Sequence, residues 1–106
     1  MDNEGRVTAS SADRVATVTC EGDLTLFNAE QFIGALDEAI ASGDAVTVDI
    51  RNATYIDSAI IAALIGPAKT LIDRGARLNV LVTEGAHPQY VLNLVGFKTL
   101  MDIQAS

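Results

Sequence analysis

The chain has 106 residues, of which 49% are hydrophobic and 20% are charged, a balance typical of a folded globular domain and not of a disordered segment. Its 14 acidic and 7 basic side chains give a formal net charge of −7, which repels nucleic-acid phosphates and anionic lipid headgroups. We therefore expect residues 1–106 to form a single domain that has no nucleic-acid partner.

Cysteine usage and the N-terminus indicate a cytoplasmic protein. Cys20 is the only cysteine, which excludes an intrachain disulfide and a cysteine-based zinc site. The opening "MDNEGRVTAS" lacks the basic and apolar regions of a signal peptide, and no apolar run approaches the roughly 20 residues that span a bilayer. We expect neither membrane insertion nor a metal or cofactor site.

The N-terminal half alternates strand and helix patterns. Apolar and polar residues alternate in 6–10 and 14–21 around the turn "SAD", which predicts a β-hairpin with Ala16, Val18 and Cys20 on one face. Apolar residues at helical spacing predict a helix over 28–42 that is capped by Asn28 and stopped by Gly43. "DAVTVDI" predicts a third strand, followed by the loop "RNATY".

The segment "SAIIAALIGPAKTLIDR" is too long for a strand, so residues 58–74 are predicted to be helical with Gly75 as the stop and Pro67 kinking the helix near Gly66. "RLNVLVT" predicts a fourth strand, "PQYVLNLVG" a short helix that opens with Pro88, and "LMDI" a final strand. The order β-β-α-β-α-β-α-β predicts a partly parallel sheet with helices packed against it.

Asp57 and Ser58 stand directly before the apolar helix start "AII". One interpretation is helix capping, since Asp and Ser are preferred N-cap residues. A nucleophilic serine would need a base, and the only histidine is His87. "GDLT" and "IGPAK" lack the spacing of a phosphate-binding loop, so no catalytic residue is assigned. A small-anion site at the helix start is a further alternative.

Another interpretation makes Ser58 a phosphoacceptor. The free N–H groups and positive dipole end of a helix tolerate a dianion. A phosphate adds about −1.5 to −2 charges and would turn an apolar docking surface anionic beside Asp57. Docking of a partner would then fail.

The residues "VTCEGDLT", "YIDSAII" and "VLNLVGFKTLMDI", with this order of elements, resemble the STAS domain family and specifically the bacterial anti-sigma-factor antagonists. The resemblance implies an α/β fold with a four- to five-stranded mixed sheet flanked by three to four helices. It also implies a cycle in which the unphosphorylated antagonist captures an anti-sigma factor, often itself a serine kinase, and frees a sigma factor.

The resemblance also assigns residues. The family's D-S-[ST]-G-[LI] segment carries its phosphorylated serine onto Ser58, and the G-D/E-L segment falls on Gly22, Asp23 and Leu24. The partner surface that this implies consists of Asp23, Leu24, Thr25, Asp57, Ser58, Ala59 and Ile60. We expect a monomer or weak dimer that acts in transcription regulation and the stress response.

The chain departs from the family pattern at Ala59, where a second hydroxyl is usual, and at Ile60, where glycine is usual. Ile60 is expected to enlarge the apolar surface beside Ser58 and to obstruct a kinase. These departures keep open a second hypothesis, a constitutive STAS subunit resembling that of phospholipid-trafficking transporters, or a signalling scaffold.

Overall fold

An antiparallel hairpin opens the fold of this chain, for which the computed structural model describes residues 4–94 and 96–106. Strand β1 (Arg6–Ala12) pairs with β2 (Val15–Leu24) from Arg6↔Glu21 to Ala12↔Val15. Asp13 and Arg14 form the two-residue turn with φ values of 53° and 67°, the left-handed pair whose twist matches that of a hairpin. The hairpin is confirmed. Its turn is formed by residues 13–14 and not by the predicted "SAD" at 11–13, because β1 continues through Ala12.

Helix α1 (Ala29–Ser42) follows a 3₁₀ turn at Leu26–Asn28, and it buries Phe32 and Leu36 against the sheet. Asn28 and Gly43 flank α1 at its N-cap and C-cap positions, as predicted, and the Gly43 N–H donates to the Ala39 carbonyl at 3.0 Å, but neither residue has the expected cap geometry. The Asn28 side chain makes no cap bond to α1, and Gly43 has an extended backbone with φ of −125°. Close packing explains the glycine instead, because a Cβ at Gly43 would lie 2.9 Å from the Ala16 Cβ.

Strand β3 (Ala45–Ile56) is longer than predicted, because "RNATY" continues the strand and is not a loop. Its backbone pairs in parallel with the end of β2, including Ala53↔Gly22 and Tyr55↔Asp23. Helix α2 (Ser58–Asp73) confirms the predicted helix, with Pro67 inside it and Gly75 in the left-handed region at φ of 78°.

The C-terminal half contains β4 (Leu78–Val82), α3 (His87–Leu94), a 3₁₀ turn at Phe97–Thr99 and β5 (Met101–Ala105). The five strands lie in the order β1-β2-β3-β4-β5, and every pair after the first is parallel. This mixed α/β sheet with three α-helices confirms the expected fold class. No helix within the described residues has the length and apolarity needed to cross a membrane.

The parallel strands β2, β3 and β4 end at the same edge of the sheet. The chain leaves these strands, at or directly after their last residues, through residues 24–27, 57–58 and 83–84. We call this region the carboxyl edge. It brings the "GDLT" and "YIDS" segments together, although 31 residues separate Leu26 from Asp57 along the chain.

Phe32 and Ile33 are neighbours in α1 with opposite environments, since Phe32 is fully buried and Ile33 is 44% exposed. Phe32→Ala should lower the free energy of unfolding by about 3–5 kcal/mol, because it removes a buried ring and leaves a cavity. Ile33→Ala is the control and should lower it by less than about 1 kcal/mol. Urea unfolding followed by circular dichroism measures both, and equal losses would contradict this packing.

Candidate functional site

The Asp57 carboxylate caps helix α2. Its Oδ1 accepts hydrogen bonds from the backbone N–H groups of Ala59 at 3.0 Å and Ile60 at 3.2 Å. The Ile61 N–H donates to the Asp57 carbonyl at 3.1 Å and begins the helical ladder. The capping interpretation is therefore confirmed for Asp57, and the carboxylate replaces the capping box that the apolar first turn cannot supply.

The second oxygen of the same carboxylate holds a different segment. Asp57 Oδ2 accepts from the Leu26 N–H at 2.8 Å, and the Asp57 N–H donates to the Leu24 carbonyl at 3.2 Å. One residue thus joins the start of α2 to the chain that leaves β2. Two of the three segments that carry the family resemblance, "VTCEGDLT" and "YIDSAII", are thus connected directly through Asp57.

The turn after β2 is built by Thr25 and Asn28. The Thr25 hydroxyl accepts from the Phe27 N–H at 3.2 Å, and Asn28 Oδ1 accepts from the Thr25 N–H at 3.0 Å. Between these two polar residues, the Leu26 side chain is 70% exposed and that of Phe27 is 97% exposed. Sequence reasoning missed this pair, although adjacent apolar residues between two turn-forming residues were a signal that could have located them.

Asp23 lies beside the same edge on an irregular part of β2. The register between β2 and β3 shifts between Thr19 and Glu21 and again between Gly22 and Asp23, and Gly22 has a φ of 78°. Such bulges redirect side chains. Here the Thr54 hydroxyl donates to Asp23 Oδ1 at 2.5 Å, which fixes the carboxylate at the side of the site.

Ser58 is exposed at the first position of α2. The expectation that free helix N–H groups would accept a phosphate on this serine needs correction. Those of Ala59 and Ile60 already donate to Asp57, so a phosphate would have to compete with a carboxylate for them. Asp57 therefore takes two of the N–H groups that a small anion at this helix start would use.

Two residues expected on the partner surface are fully buried, namely Leu24 and Ile60. Neither side chain adds area to the surface around Ser58, so the expectation that Ile60 enlarges it is wrong. Ile60 packs inward with the sheet-facing residues of α2, while Ala59 is half-buried at the rim. Thr25, Asp23 and Asp57 are also partly exposed.

His87 begins α3 and supports the end of β3. Its Nδ1 accepts from the Ile56 N–H at 3.2 Å, and its ring stacks on that of Tyr55 with centroids 4.5 Å apart. An accepting Nδ1 places the proton of the neutral ring on Nε2. With Nδ1 accepting from the backbone and Nε2 carrying the proton, neither nitrogen is free to take a proton from a serine, so this geometry does not support a serine–histidine nucleophile.

Charge is distributed unevenly over the sheet. Acidic residues around the carboxyl edge are Glu4, Asp23, Glu30, Asp57 and Glu84, all at least partly exposed. The basic residues of that half, Arg6 and Arg51, are paired with Glu21 at 3.2 Å and Asp49 at 2.8 Å. Hydrogen bonds from Arg51 hold the pKa of Asp49 below its usual value.

Remaining basic side chains lie mostly toward the opposite edge. Arg14 precedes β2, Arg77 precedes β4 and Lys98 precedes β5. The carboxyl edge is thus an anionic surface with an apolar tip at Leu26 and Phe27.

Among the described residues, no group of three or more His, Cys, Asp or Glu side chains could hold a metal ion.

Comparison with known proteins assigns the fold to a family. The family model described as "Mlab, STAS domain" matches residues 7–102. The chain belongs to the STAS domain family. No curated protein matches the sequence.

Solved structures of several anti-sigma factor antagonists have the same architecture. An anti-sigma factor antagonist from Mycobacterium paratuberculosis has a TM-score of 0.85 at 16% identity, over 98% of this chain and 88% of that one. A putative anti-sigma factor antagonist from Thermotoga maritima has a TM-score of 0.79 at 16% identity, over 94% and 86%. Unphosphorylated SpoIIAA, an anti-sigma factor antagonist, has a TM-score of 0.79 at 14% identity, over 95% and 88%. At these identities the likeness establishes the shared fold.

The Asp57 bonds predict a measurable stability loss in this STAS domain. Asp57→Ala removes the cap of α2 and the acceptor of the Leu26 N–H, so unfolding free energy should fall by about 1–2 kcal/mol. Asp57→Asn keeps a side-chain oxygen and should lose less. The control is Asp37→Ala on the exposed face of α1. If Asp57→Ala were no less stable than Asp37→Ala, the role of this cap would be refuted.

Cys20 lies in the core beneath the sheet surface and is chemically protected. It is buried in β2, and burial together with the Asp49 charge raises the pKa of its thiol to about 12. We expect no labelling by a thiol reagent at about pH 8 in the native state and full labelling in urea, because the thiolate is the reactive form. Ser42→Cys supplies an exposed control thiol, and native labelling of Cys20 at the rate of that control would contradict this protection.

Proposed function

We propose that this STAS domain is an anti-sigma-factor antagonist that binds an anti-sigma factor through the carboxyl edge and is switched by phosphorylation of Ser58. The observation that carries the proposal is the exposed Ser58 at the start of α2, held beside Asp57 and the turn that follows β2. The chain then acts as a binding regulator and not as an enzyme. Its cycle would be cytoplasmic, with residues 1–106 as a single domain, monomeric or weakly dimeric.

The surface of this proposal differs from the one expected from sequence. Asp23, Thr25, Asp57, Ser58 and Ala59 remain candidates for direct contact because each has solvent-exposed area. Leu24 and Ile60 act from the core, where they support the two segments from below. The partner would be an anti-sigma factor with serine kinase activity, because the switch requires a hydroxyl-directed kinase.

Electrostatics supplies the switch. A phosphate brings about −1.5 to −2 charges to a surface that already contains Asp57 and Asp23. The Asp57 carboxylate occupies the Ala59 and Ile60 N–H groups. The phosphate therefore remains at the surface, where its charge and hydration oppose docking of a protein that fits the unmodified serine.

A second candidate is a constitutive STAS subunit, of the kind found in phospholipid-trafficking transporters or signalling scaffolds. The observation that favours it is the partly occupied helix start, where Asp57 already accepts the Ala59 and Ile60 N–H groups that a phosphate on Ser58 would otherwise use. Ala59 also replaces the second hydroxyl of the family pattern. In this alternative, the carboxyl edge binds its partner permanently and Ser58 is an unmodified contact residue.

The test measures binding to each purified anti-sigma factor of the source organism by isothermal titration calorimetry. Ser58→Asp should weaken binding at least about tenfold, because it adds charge at the contact, whereas Ser58→Ala should bind like wild type and resist the kinase. Ser42→Asp adds the same charge at the exposed end of α1 and should bind normally. After incubation with ATP and the kinase, intact-mass analysis counts the phosphates and peptide mapping identifies the modified residue.

The outcomes separate the two candidates. Binding by wild type and Ser58→Ala with loss in Ser58→Asp would support the switch. If no anti-sigma factor bound wild type, the antagonist assignment would be wrong. If an anti-sigma factor bound the chain but Ser58 was never modified, the phosphorylation switch would be refuted and the constitutive-subunit candidate would be favoured.

A further inference from the structure

The turn at Leu26–Asn28 exposes two large apolar side chains that contribute little to the stability of the fold. Phe27 is 97% exposed and Leu26 is 70% exposed, whereas Leu24 two residues earlier is fully buried. Full burial of such a side chain is worth about 1.5–3 kcal/mol in a protein core. Phe27 contributes almost none of this to the folded chain, so its side chain is available to another molecule.

This exposed pair lies on an ordered backbone. The Leu26 N–H donates to Asp57 Oδ2 at 2.8 Å, and the Phe27 N–H donates to the Thr25 hydroxyl at 3.2 Å. The Asn28 N–H donates to the Thr25 carbonyl at 2.9 Å, and the Asn28 amide reaches the Gly5 carbonyl at 3.4 Å. Because the backbone is fixed before binding, a partner would not have to order it, which is the condition for a tight anchor.

The surroundings of the pair identify the chemistry of its partner. Glu30 lies three residues beyond Phe27, Asp57 is bonded to Leu26, and Asp23 lies just before the turn. The basic side chains on this half of the described sheet, Arg6 and Arg51, are already paired with acidic residues. An apolar tip within an anionic rim is complementary to an apolar pocket bordered by lysine or arginine.

We propose that Phe27, supported by Leu26, is the anchor of the partner surface and inserts into an apolar pocket with a basic border on a protein partner. This inference rests on the proposed function, in which that partner is the anti-sigma factor. Large aromatic residues at the centre of an interface dominate binding energy when a pocket removes them from water. Phosphorylation of Ser58 would then place its charge next to this anchor.

Two other occupants fit the charges less well. An anionic membrane would meet the carboxylates of Glu30, Asp23 and Asp57 before the apolar pair could enter it. A second copy of the chain would bring two identical anionic edges together and would be repelled for the same reason. A basic protein surface is the occupant for which both the apolar and the charged parts are favourable.

The closing experiment compares Phe27→Ala with wild type in the same calorimetric titrations. Loss of the ring should weaken binding at least about tenfold, as is typical of an interface hot spot, and Phe27→Leu should recover part of the loss. Leu94→Ala removes another apolar side chain, 66% exposed on α3, and should change the affinity less than about twofold. All three variants should unfold at the same urea concentration as wild type, since none of these side chains is buried.

Salt dependence tests the basic border. Raising ionic strength from about 0.05 M to about 0.5 M should weaken binding of wild type and Phe27→Ala by similar factors, because screening acts on the charges and not on the ring. Salt-independent binding would overturn a basic border. If Phe27→Ala bound with the affinity of wild type while Ser58→Asp failed to bind, the role of Phe27 as anchor would be refuted and the proposed function would stand. If wild type bound no anti-sigma factor, the proposed function and this anchor would both be wrong.

Discussion

The Asp57 carboxylate is the interaction on which the arrangement of the site depends. Its two oxygens accept N–H groups from Ala59, Ile60 and Leu26, and its own backbone bonds to Leu24. After Ser58, the first turn of helix α2 has only apolar side chains, which cannot form a capping box. The turn after β2 has no other bond to α2 among the described hydrogen bonds. Without the Asp57 carboxylate, the backbone N–H groups of Ala59, Ile60 and Leu26 would lose their hydrogen-bond acceptor.

Fixing the turn in this way separates apolar residues into two groups. Leu24 and Ile60 face the core, whereas Leu26 and Phe27, which follow Leu24 after Thr25, face solvent. The 3₁₀ turn changes the direction of the chain between them, so the alternation of β2 does not continue. The same bonds hold Ser58 outward at the helix start, which makes its hydroxyl accessible without local unfolding.

The departures from the family pattern have a simple physical explanation at Ile60. Its side chain points into the space between α2 and the sheet, where a branched residue fills volume that glycine would leave to neighbours. Access to Ser58 is therefore not narrowed by Ile60. Ala59 has a more direct consequence, because a missing hydroxyl removes one polar group from the half-buried rim of the site.

Several features followed from local sequence. Alternation in β2 and β3 predicted their buried faces, helical spacing predicted α1, and the length of its segment predicted α2. Asp57 was the expected type of residue for the cap of α2, because capping acts over a few residues. The length of β3 did not follow, since "RNATY" is held in a strand by backbone pairing with Gly22 and Asp23.

Tertiary structure alone decided which residues form the surface. A bond across 31 positions joins Asp57 to Leu26, and no local pattern specifies such a contact. Burial of Ile60 and exposure of Phe27 both depend on how α2 and the turn pack on the sheet, so two hydrophobic side chains have opposite environments. The sequence by itself determined the elements and the presence of a reactive-looking Asp57–Ser58 pair. The packing of those elements decided that the pair adjoins an exposed aromatic residue in an anionic setting, because long-range contacts are set by the whole chain and not by any one segment.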